Sequence, residues 1–441
     1  MIRDDQLPEL AAFRDIEKNM PIWYAPAYSD LVVSSRNESR PVHRWFRFKE
    51  GFSSDLLKTI IPSLDLPVAK SLNFLDPFCG SGTSLLSCSE IPSQRFKGIG
   101  FEINPFIAFV ASVKANWNKI NPERLLSLGE CALSKSLSIS PQLPCLSSIS
   151  DARCINIDVS LQLLAVRDAI RSLADDAEAN ALLLGLAASI EALSKVRKDG
   201  RALRIVEKAK QPVFATLREK WTMIAKDVQA RRASISKATP SKVILGDGRR
   251  PLKYGIRPSS IDLIVTSPPY PNTIDYTEVY KLELWFLGFV DTAEKFLGLR
   301  RETLRSHPTA APLENDAHFH LGPGHSELRK LIDPMLERAD ASSQKWRRRL
   351  LVGYFSDLHN ALSQHYQCLK PGGYEVLVVG NSLHGGAAFP YLVPTDLIIS
   401  VMAPILGFTV ESTLVARSLK RRLSGNHFLR ESVIVLRKSN A

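Results

Sequence analysis

Between residues 72 and 117 the chain alternates twice between a short apolar run and a segment with apolar residues at helical spacing. The runs 72–75 and 96–101 predict strands, and 82–90 and 104–117 predict helices. Strands joined through helices must lie parallel, with the helices covering the faces of the sheet. Further strands are predicted at 243–245, 261–265, 374–379, 408–414 and 432–436. Helices are predicted at 277–288, 348–368 and 395–406, the middle one stopping at Lys370-Pro371-Gly372-Gly373. The expected fold is therefore α/β, a doubly wound and largely parallel sheet.

The alternation breaks between 118 and 240. There, 161–173, 179–196 and 213–232 have helical periodicity, and 134–150 reads as a loop rich in Ser and Pro. The expected organisation has three parts. Residues 1–117 hold an N-terminal segment and the first part of the sheet domain. Residues 118–240 form an inserted helical subdomain, and 241–441 supply the rest of the sheet, with a loop-rich stretch at 290–345.

Of 441 residues, 57 are Lys or Arg and 45 Asp or Glu, giving a net charge of +12 and a pI near 9.4. That surplus favours a polyanionic partner. The six cysteines are scattered without a CxxC pair, so neither a zinc ribbon nor a redox dithiol is indicated. Met1-Ile2-Arg3-Asp4-Asp5 has no apolar signal region behind it, and 391–408 is interrupted by Pro394, Asp396 and Pro404. A cytoplasmic protein with no membrane partner is expected. His318, His320 and His325 flank a Gly-Pro-Gly without acidic or Cys partners at fixed spacing, so no metal site is assigned.

Asp76-Pro77-Phe78-Cys79-Gly80-Ser81-Gly82-Thr83 lies between a strand and a helix, where glycines let the backbone approach a ligand. Leu85 takes the place of the third dinucleotide-binding glycine, and no GKS or GKT follows. About twenty residues on, where ribose-binding folds carry an acid, Glu102 in Gly100-Phe101-Glu102-Ile103-Asn104 ends the second strand. A carboxylate there accepts both ribose hydroxyls. Asp247, in Leu245-Gly246-Asp247-Gly248, is placed to accept from an adenine amino group. Each acid has an ordinary alternative, a helix N-terminal acid or a turn aspartate; the ordered set of three points to a nucleoside site.

Ser267-Pro268-Pro269-Tyr270 follows the 261–265 strand. Two prolines cannot continue a helix or central strand, so they stiffen an extended turn with outward carbonyls. A hydroxyl before them and a ring after them suit a flat, amino-bearing ring such as a nucleobase.

These segments resemble the S-adenosylmethionine-dependent amino-methyltransferases of DNA, which act on cytosine N4 or adenine N6. DPFCGSGT is similar to their glycine loop, GFEINP to their acidic loop with Asn104, LGDG to their adenine motif and TSPPY to their catalytic motif. HRWFRFKEGFS resembles a segment that closes over the methionine end of the cofactor, which nominates Lys49, Phe52 and Ser53. Phe52 reads equally well as a core residue. The resemblance implies a Rossmann-like class I methyltransferase sheet, mostly parallel with the last strand antiparallel, and S-adenosylmethionine as cofactor. It spans the sheet-forming parts and not 118–240 or 290–345. Serine before Pro-Pro is typical of N4-cytosine enzymes; adenine N6 and a silent nucleic-acid-binding protein of the same fold remain alternatives.

On this reading Ser267 Oγ and the Pro268 carbonyl accept the amine hydrogens, and transfer is direct, with Cys79 packing rather than attacking. The base must leave a DNA duplex, and Tyr270 is placed to stack on it. Tyr276 either lines the same pocket or is a core residue. Arg417, Lys420, Arg421 and Arg422, on an acid-free run, are the DNA-contact candidates; a solvated basic turn is the alternative. Trp346 to Arg349 and Arg300-Arg301 are further candidates. Target recognition is expected from the helical insertion, which carries Lys195, Arg197, Lys198, Arg201 and Arg204, and next from 290–345. The expected setting is a restriction–modification system.

Overall fold

The structure, a computed structural model, describes residues 7, 9–67, 71–91, 94–143, 153–199, 202–234, 241–271, 275–308, 310, 325–341, 346–385, 390–419 and 428–440. In chain order the elements begin with α1 (Leu10–Glu17), β1 (Ile22–Tyr24), α2 (Asp55–Ile60), β2 (Leu72–Asp76), α3 (Thr83–Cys88), β3 (Phe96–Glu102) and α4 (Pro105–Ala115). Four helices and a hairpin follow: α5 (Pro122–Ser136), α6 (Ile157–Leu173), α7 (Ala177–Leu193), β4 (Val196–Asp199), β5 (Ala202–Ile205) and α8 (Val213–Ser234). Next come β6 (Ser241–Leu245), β7 (Ile261–Thr266), α9 (Tyr276–Val279), α10 (Lys281–Phe286), α11 (Ala293–Glu302), α12 (Ser326–Ala341) and α13 (Trp346–Cys368). The last are β8 (Leu369–Gly380), β9 (Ser382–His384), β10 (Tyr391–Val393), α14 (Thr395–Ile405), β11 (Phe408–Ser418) and β12 (Arg430–Lys438).

The main sheet runs β1-β11-β12-β8-β7-β2-β3-β6. Every neighbouring pair is parallel except the two made by β12, which is antiparallel to β8 and to β11. This is the Rossmann-like sheet, mostly parallel with its last strand reversed, that the sequence predicts. From β2 the chain winds outward through β3 to β6, then crosses back to β7 on the other side of β2. The carboxyl ends of β2 and β7 therefore flank a topological switch point, where open α/β sheets bind ligands.

Burial on both faces explains the unbroken apolar strands. Leu263 and Val265 of β7 face the core formed with α2 and α3, and Ile264 faces the core of α1, α12, α13 and α14. Asn104 caps α4, its side-chain oxygen accepting from Phe106 N (3.1 Å) and Ile107 N (3.3 Å), with Pro105 at the first helical position.

The segment 118–240 is helical, as its periodicity predicts, and its apolar residues share one core with α4 and α10. Trp221 fills the centre. A Cβ on Gly129 or Gly185 would come within 2.8 or 2.6 Å of its ring. Asp227 of α8 receives Val42 N and Trp45 Nε1, both at 3.0 Å, and the Arg44 guanidinium. The helices are thereby fixed to the strip that leads to Phe48.

Five local expectations change. The stretch 134–150 begins inside α5, which continues to Ser136. The β4–β5 hairpin interrupts the insertion where only helix is predicted. The stretch 290–345 holds α11, which fully buries no residue, and α12, whose charged face hides an apolar stripe of Leu328, Leu331, Ile332 and Met335. The 277–288 helix is two short ones, because Tyr280 leaves helical geometry (φ −108°, ψ 19°). At Lys370-Pro371-Gly372-Gly373 no loop separates helix from strand: pairing with β7 starts at Leu369 and skips the turn as a register shift. Among the described residues no helix is long and apolar enough to cross a membrane.

Arg430 opens β12 fully buried. Its Nε meets Asp396 at 2.7 Å and a terminal nitrogen meets Glu17, which ties the reversed strand to α14 and α1. Replacing it with Met leaves Asp396 charged and buried, which costs about 3–5 kcal/mol. Urea unfolding of Arg430→Met should show that loss, and adding Asp396→Asn should recover part of it.

Candidate functional site

One cavity opens at the carboxyl ends of β2, β3, β6 and β7. Its wall brings together Asp76, Pro77, Phe78, Cys79, Gly80, Ser81 and Thr83 with Glu102, Asn104, Asp247, Phe52, Ser267, Pro269 and Tyr276. Five separate stretches nominated from the sequence thus meet in one place.

The glycine loop is set by its strand-end acid. The Asp76 carboxylate accepts from the Ser84 hydroxyl, from Thr266 Oγ1 at 2.7 Å and from Phe78 N at 3.1 Å. One carboxylate thereby links β2, β7 and the start of α3. Burial pushes it up to about 6, against the pull of these donors. Gly80 and Gly82 have φ of +49° and +81°. At Gly80 a Cβ would lie 2.9 Å from the Phe48 ring. Cys79 is buried, and burial raises its thiol well above the ordinary range, so it stays protonated, as a packing residue does.

Glu102 accepts from Asn104 N at 2.8 Å. Burial pushes its carboxyl up to about 7, because the backbone amides around it do not replace lost water. Asn104 Nδ2 is buried and has no partner among the described residues. An acceptor-rich carboxylate and a lone donor on one wall want a ligand with both hydroxyls and acceptors, which a nucleoside supplies. Asp247 is held by Arg249, whose Nε donates to Oδ1 at 2.8 Å while another nitrogen pairs with Asp357. The loop beneath is closed. A Cβ on Gly248 would fall 1.6 Å from the Pro77 carbonyl oxygen. The Gly248 carbonyl in turn faces His365 Nε2 at 3.1 Å. His365 Nδ1 lies 2.7 Å from Glu375. Burial alone would lower the His365 pKa, but Glu375 and the Gly248 carbonyl outweigh it and the net shift is upward.

Several nominated residues lie elsewhere. Lys49 does not line the cavity; its Nζ donates to the Lys198 carbonyl at 2.8 Å. Ser53 is buried and its Oγ accepts from Asp55 N, a local turn contact. Gly82 backs onto Ala111 and Pro268 is buried off the wall. Tyr270 stands behind the wall, with its ring against Gly380 and its hydroxyl toward Ser267 and Glu431. Arg417 pairs with Glu431 at 2.6 Å. Lys420, Arg421 and Arg422 lie outside the described residues, as do Arg201, His318 and His320. Arg300 is committed to Asp275 (2.6 Å) and Glu278 (3.3 Å).

The sequence reading missed other parts of the wall. Phe48 stacks between Tyr276 and Tyr280 at 6.1 and 5.8 Å. Glu50 accepts from the Tyr280 hydroxyl at 3.0 Å, and burial raises its carboxyl. Both sit inside HRWFRFKEGFS, and the alternation of aromatic and charged residues there was the available signal. Thr303, Leu304, Ser306 and His307 close another side. Burial lowers the His307 pKa, so it is neutral near pH 7. Nothing in 303–307 as a string marks it, since its position depends on α11.

No family model matches the chain. It is 25% identical to the type II methyltransferase M.BsoBI of Geobacillus stearothermophilus, over 86% of this chain and 81% of that one. To M.AvaI of Nostoc it is 26% identical, over 92% and 89%. To M.MvaI of Kocuria varians it is 21% identical, over 84% and 82%. Over most of its length this chain is thus similar to type II methyltransferases. An S-adenosylmethionine-dependent methyltransferase of known structure from Methanosarcina mazei aligns over 87% of this chain and 98% of its own, at 11% identity and a TM-score of 0.31. That score is too low to argue from, and the fold rests on the strand order above. The cavity fits S-adenosylmethionine, since its wall offers buried carboxylates and the unpartnered Asn104 amide to a ligand with hydroxyls and acceptors.

A hydroxyl-bearing ligand at Glu102 favours the ionised carboxylate. The sign follows. Below about pH 7 the carboxyl must lose a proton on binding, so affinity falls by up to about tenfold per pH unit. Calorimetry in buffers of different ionisation enthalpy should show proton release near pH 6.5 and tighter cofactor binding at pH 8. Glu102→Gln should bind more weakly with a flatter profile; unchanged slope would remove Glu102 from this role.

Proposed function

We propose that the chain is an S-adenosylmethionine-dependent DNA methyltransferase that modifies the exocyclic N4 of cytosine. The observation that carries this is the presence of Ser267 and Pro269 on the same cavity wall as Glu102, Asn104 and Asp247. The stiff turn thus faces the nucleoside site with no intervening element. Similarity to type II methyltransferases over most of the chain supports DNA as the substrate and a restriction–modification setting. Serine before the prolines favours cytosine.

Bound in the cavity, S-adenosylmethionine supplies a methyl group on a positively charged sulfur. The protein's part is positioning and charge. An exocyclic amine is a weak nucleophile, because its lone pair is delocalised into the ring. Ser267 Oγ, on the wall, accepts one of its hydrogens and favours a pyramidal nitrogen, a near-attack arrangement. It also stabilises positive charge developing on nitrogen. Neutral His307 adds no positive charge to a site that must hold a cation. Glu50, buried with raised carboxyl, suits the ammonium of the cofactor's amino-acid end. Tyr270 bears on the turn from behind through Ser267, which assigns it to holding the serine.

The direct test incubates the protein with labelled cofactor and mixed-sequence duplex DNA, then separates the hydrolysed nucleosides. N4-methylcytosine is the expected product; methyladenine would overturn the serine argument, and no labelled nucleoside would overturn the activity. In the same assay Ser267→Ala should lower turnover by about a hundredfold with cofactor affinity within about twofold. Equal loss of both would make Ser267 structural.

A further inference from the structure

Helix α13 grips the loop that carries Asp247 at two places. Asp357 pairs with Arg249 at 2.8 Å. About two turns further along the helix, the buried His365 sends both ring nitrogens into polar contacts. Nε2 lies 3.1 Å from the Gly248 carbonyl and Nδ1 lies 2.7 Å from Glu375 Oε1. His365 is not on the cavity wall; it stands beneath it.

Both partners are acceptors. A carbonyl cannot donate, so Nε2 carries a hydrogen. A neutral ring has one N–H, and with that one on Gly248 it would turn a bare Nδ1 toward the Glu375 carboxylate. The close approach there needs a second proton, shared between ring and carboxylate. The charged groups that face the ring are acids, Glu375 from β8 and Asp76 from β2, and they keep its pKa raised against burial. Glu375 is buried in the middle of the sheet, and its Oε2 has no partner among the described residues. The proton on His365 is what neutralises it.

The contact with Gly248 reaches the cofactor wall. Gly248 is pressed against the Pro77 carbonyl on one side, where a Cβ would fall at 1.6 Å, and His365 holds its carbonyl on the other. Asp247, the residue before it, lines the cavity. The Phe78 ring, also on the wall, meets the imidazole in a T-shaped contact at 6.4 Å. One ring thus supports both the Asp247 loop and the glycine loop.

We infer that His365, bridging Glu375 and the Gly248 carbonyl, is a positioning residue for S-adenosylmethionine that holds Asp247 and Phe78 in place on the cavity wall. This rests on the reading of the cavity as the cofactor site. The bridge is complete while the pair keeps its shared proton. It is lost as pH rises through the raised pKa of His365. Cofactor affinity therefore has an alkaline limb, opposite in sense to the acid limb from Glu102.

Calorimetric titration of the full chain with S-adenosylmethionine, from about pH 6 to about pH 9, spans both limbs. Wild type should bind more weakly at the alkaline end. His365→Phe removes the donor and should weaken binding about tenfold or more at neutral pH. Glu375→Gln restores the bridge without a charge, because its amide donates to the bare Nδ1 while Nε2 keeps Gly248. It should bind within about twofold of wild type at neutral pH and lose the alkaline limb. Arg430→Met, destabilised away from the wall, should keep both the affinity and the limb. If His365→Phe binds as wild type does, or Glu375→Gln retains the limb, the ring only fills the core and the inference is overturned. If His365→Phe does not fold, the Glu375→Gln profile decides alone. If wild type binds no S-adenosylmethionine at any pH, the cofactor reading falls and the His365 assignment with it.

Discussion

The Asp76 carboxylate holds the site together. It lies at the point where the chain's winding reverses, and it takes donors from β2's own loop, from Ser84 in α3 and from Thr266 at the end of β7. Without those three donors a buried carboxylate would be neutral and the loop would have no fixed relation to β7. With them, the glycine loop and the Ser267 turn are set against each other by a single residue. The turn's position follows directly, since Ser267 is the next residue after Thr266.

The interior carries more unbalanced carboxylates than a finished core would. Asp76, Glu102 and Glu50 are all shifted upward by burial. Asp76 has its donors, whereas Glu102 and Glu50 face the cavity with fewer than they can accept. Such groups are costly without a partner. Raised carboxyls around a cleft are the expected signature of a site shaped for a ligand that brings donors and positive charge.

Much of this was legible in the sequence, and the limits are physical. The strands of the sheet were visible because burial on both faces leaves no choice but apolar residues, as in Ile261–Thr266. The site acids were visible because they end those strands. What could not be read was anything set by tertiary contact. Lys49 looked like a cofactor residue but reaches Lys198, far away in sequence. Tyr270 looked like a stacking ring, yet the absence of a side chain at Gly380 gives it a seat behind the wall. Helices α11 and α12 were masked by charge, because α11 only half-buries Phe296 and Leu299 and α12 covers one narrow stripe. The hairpin hid within a helical stretch, since four-residue strands have too little pattern to stand out.

The cavity wall is drawn from seven stretches between Phe48 and His307. No fragment of the chain contains it, and the parallel pairings that assemble it close long loops, which slows folding. Occupancy is therefore a readout of completed topology. A bound cofactor at a hundred times its dissociation constant would add about 2.7 kcal/mol to the stability of the whole sheet. In a cell, abundance of the methyl donor would then govern not only how fast this protein works but how much of it survives proteolysis.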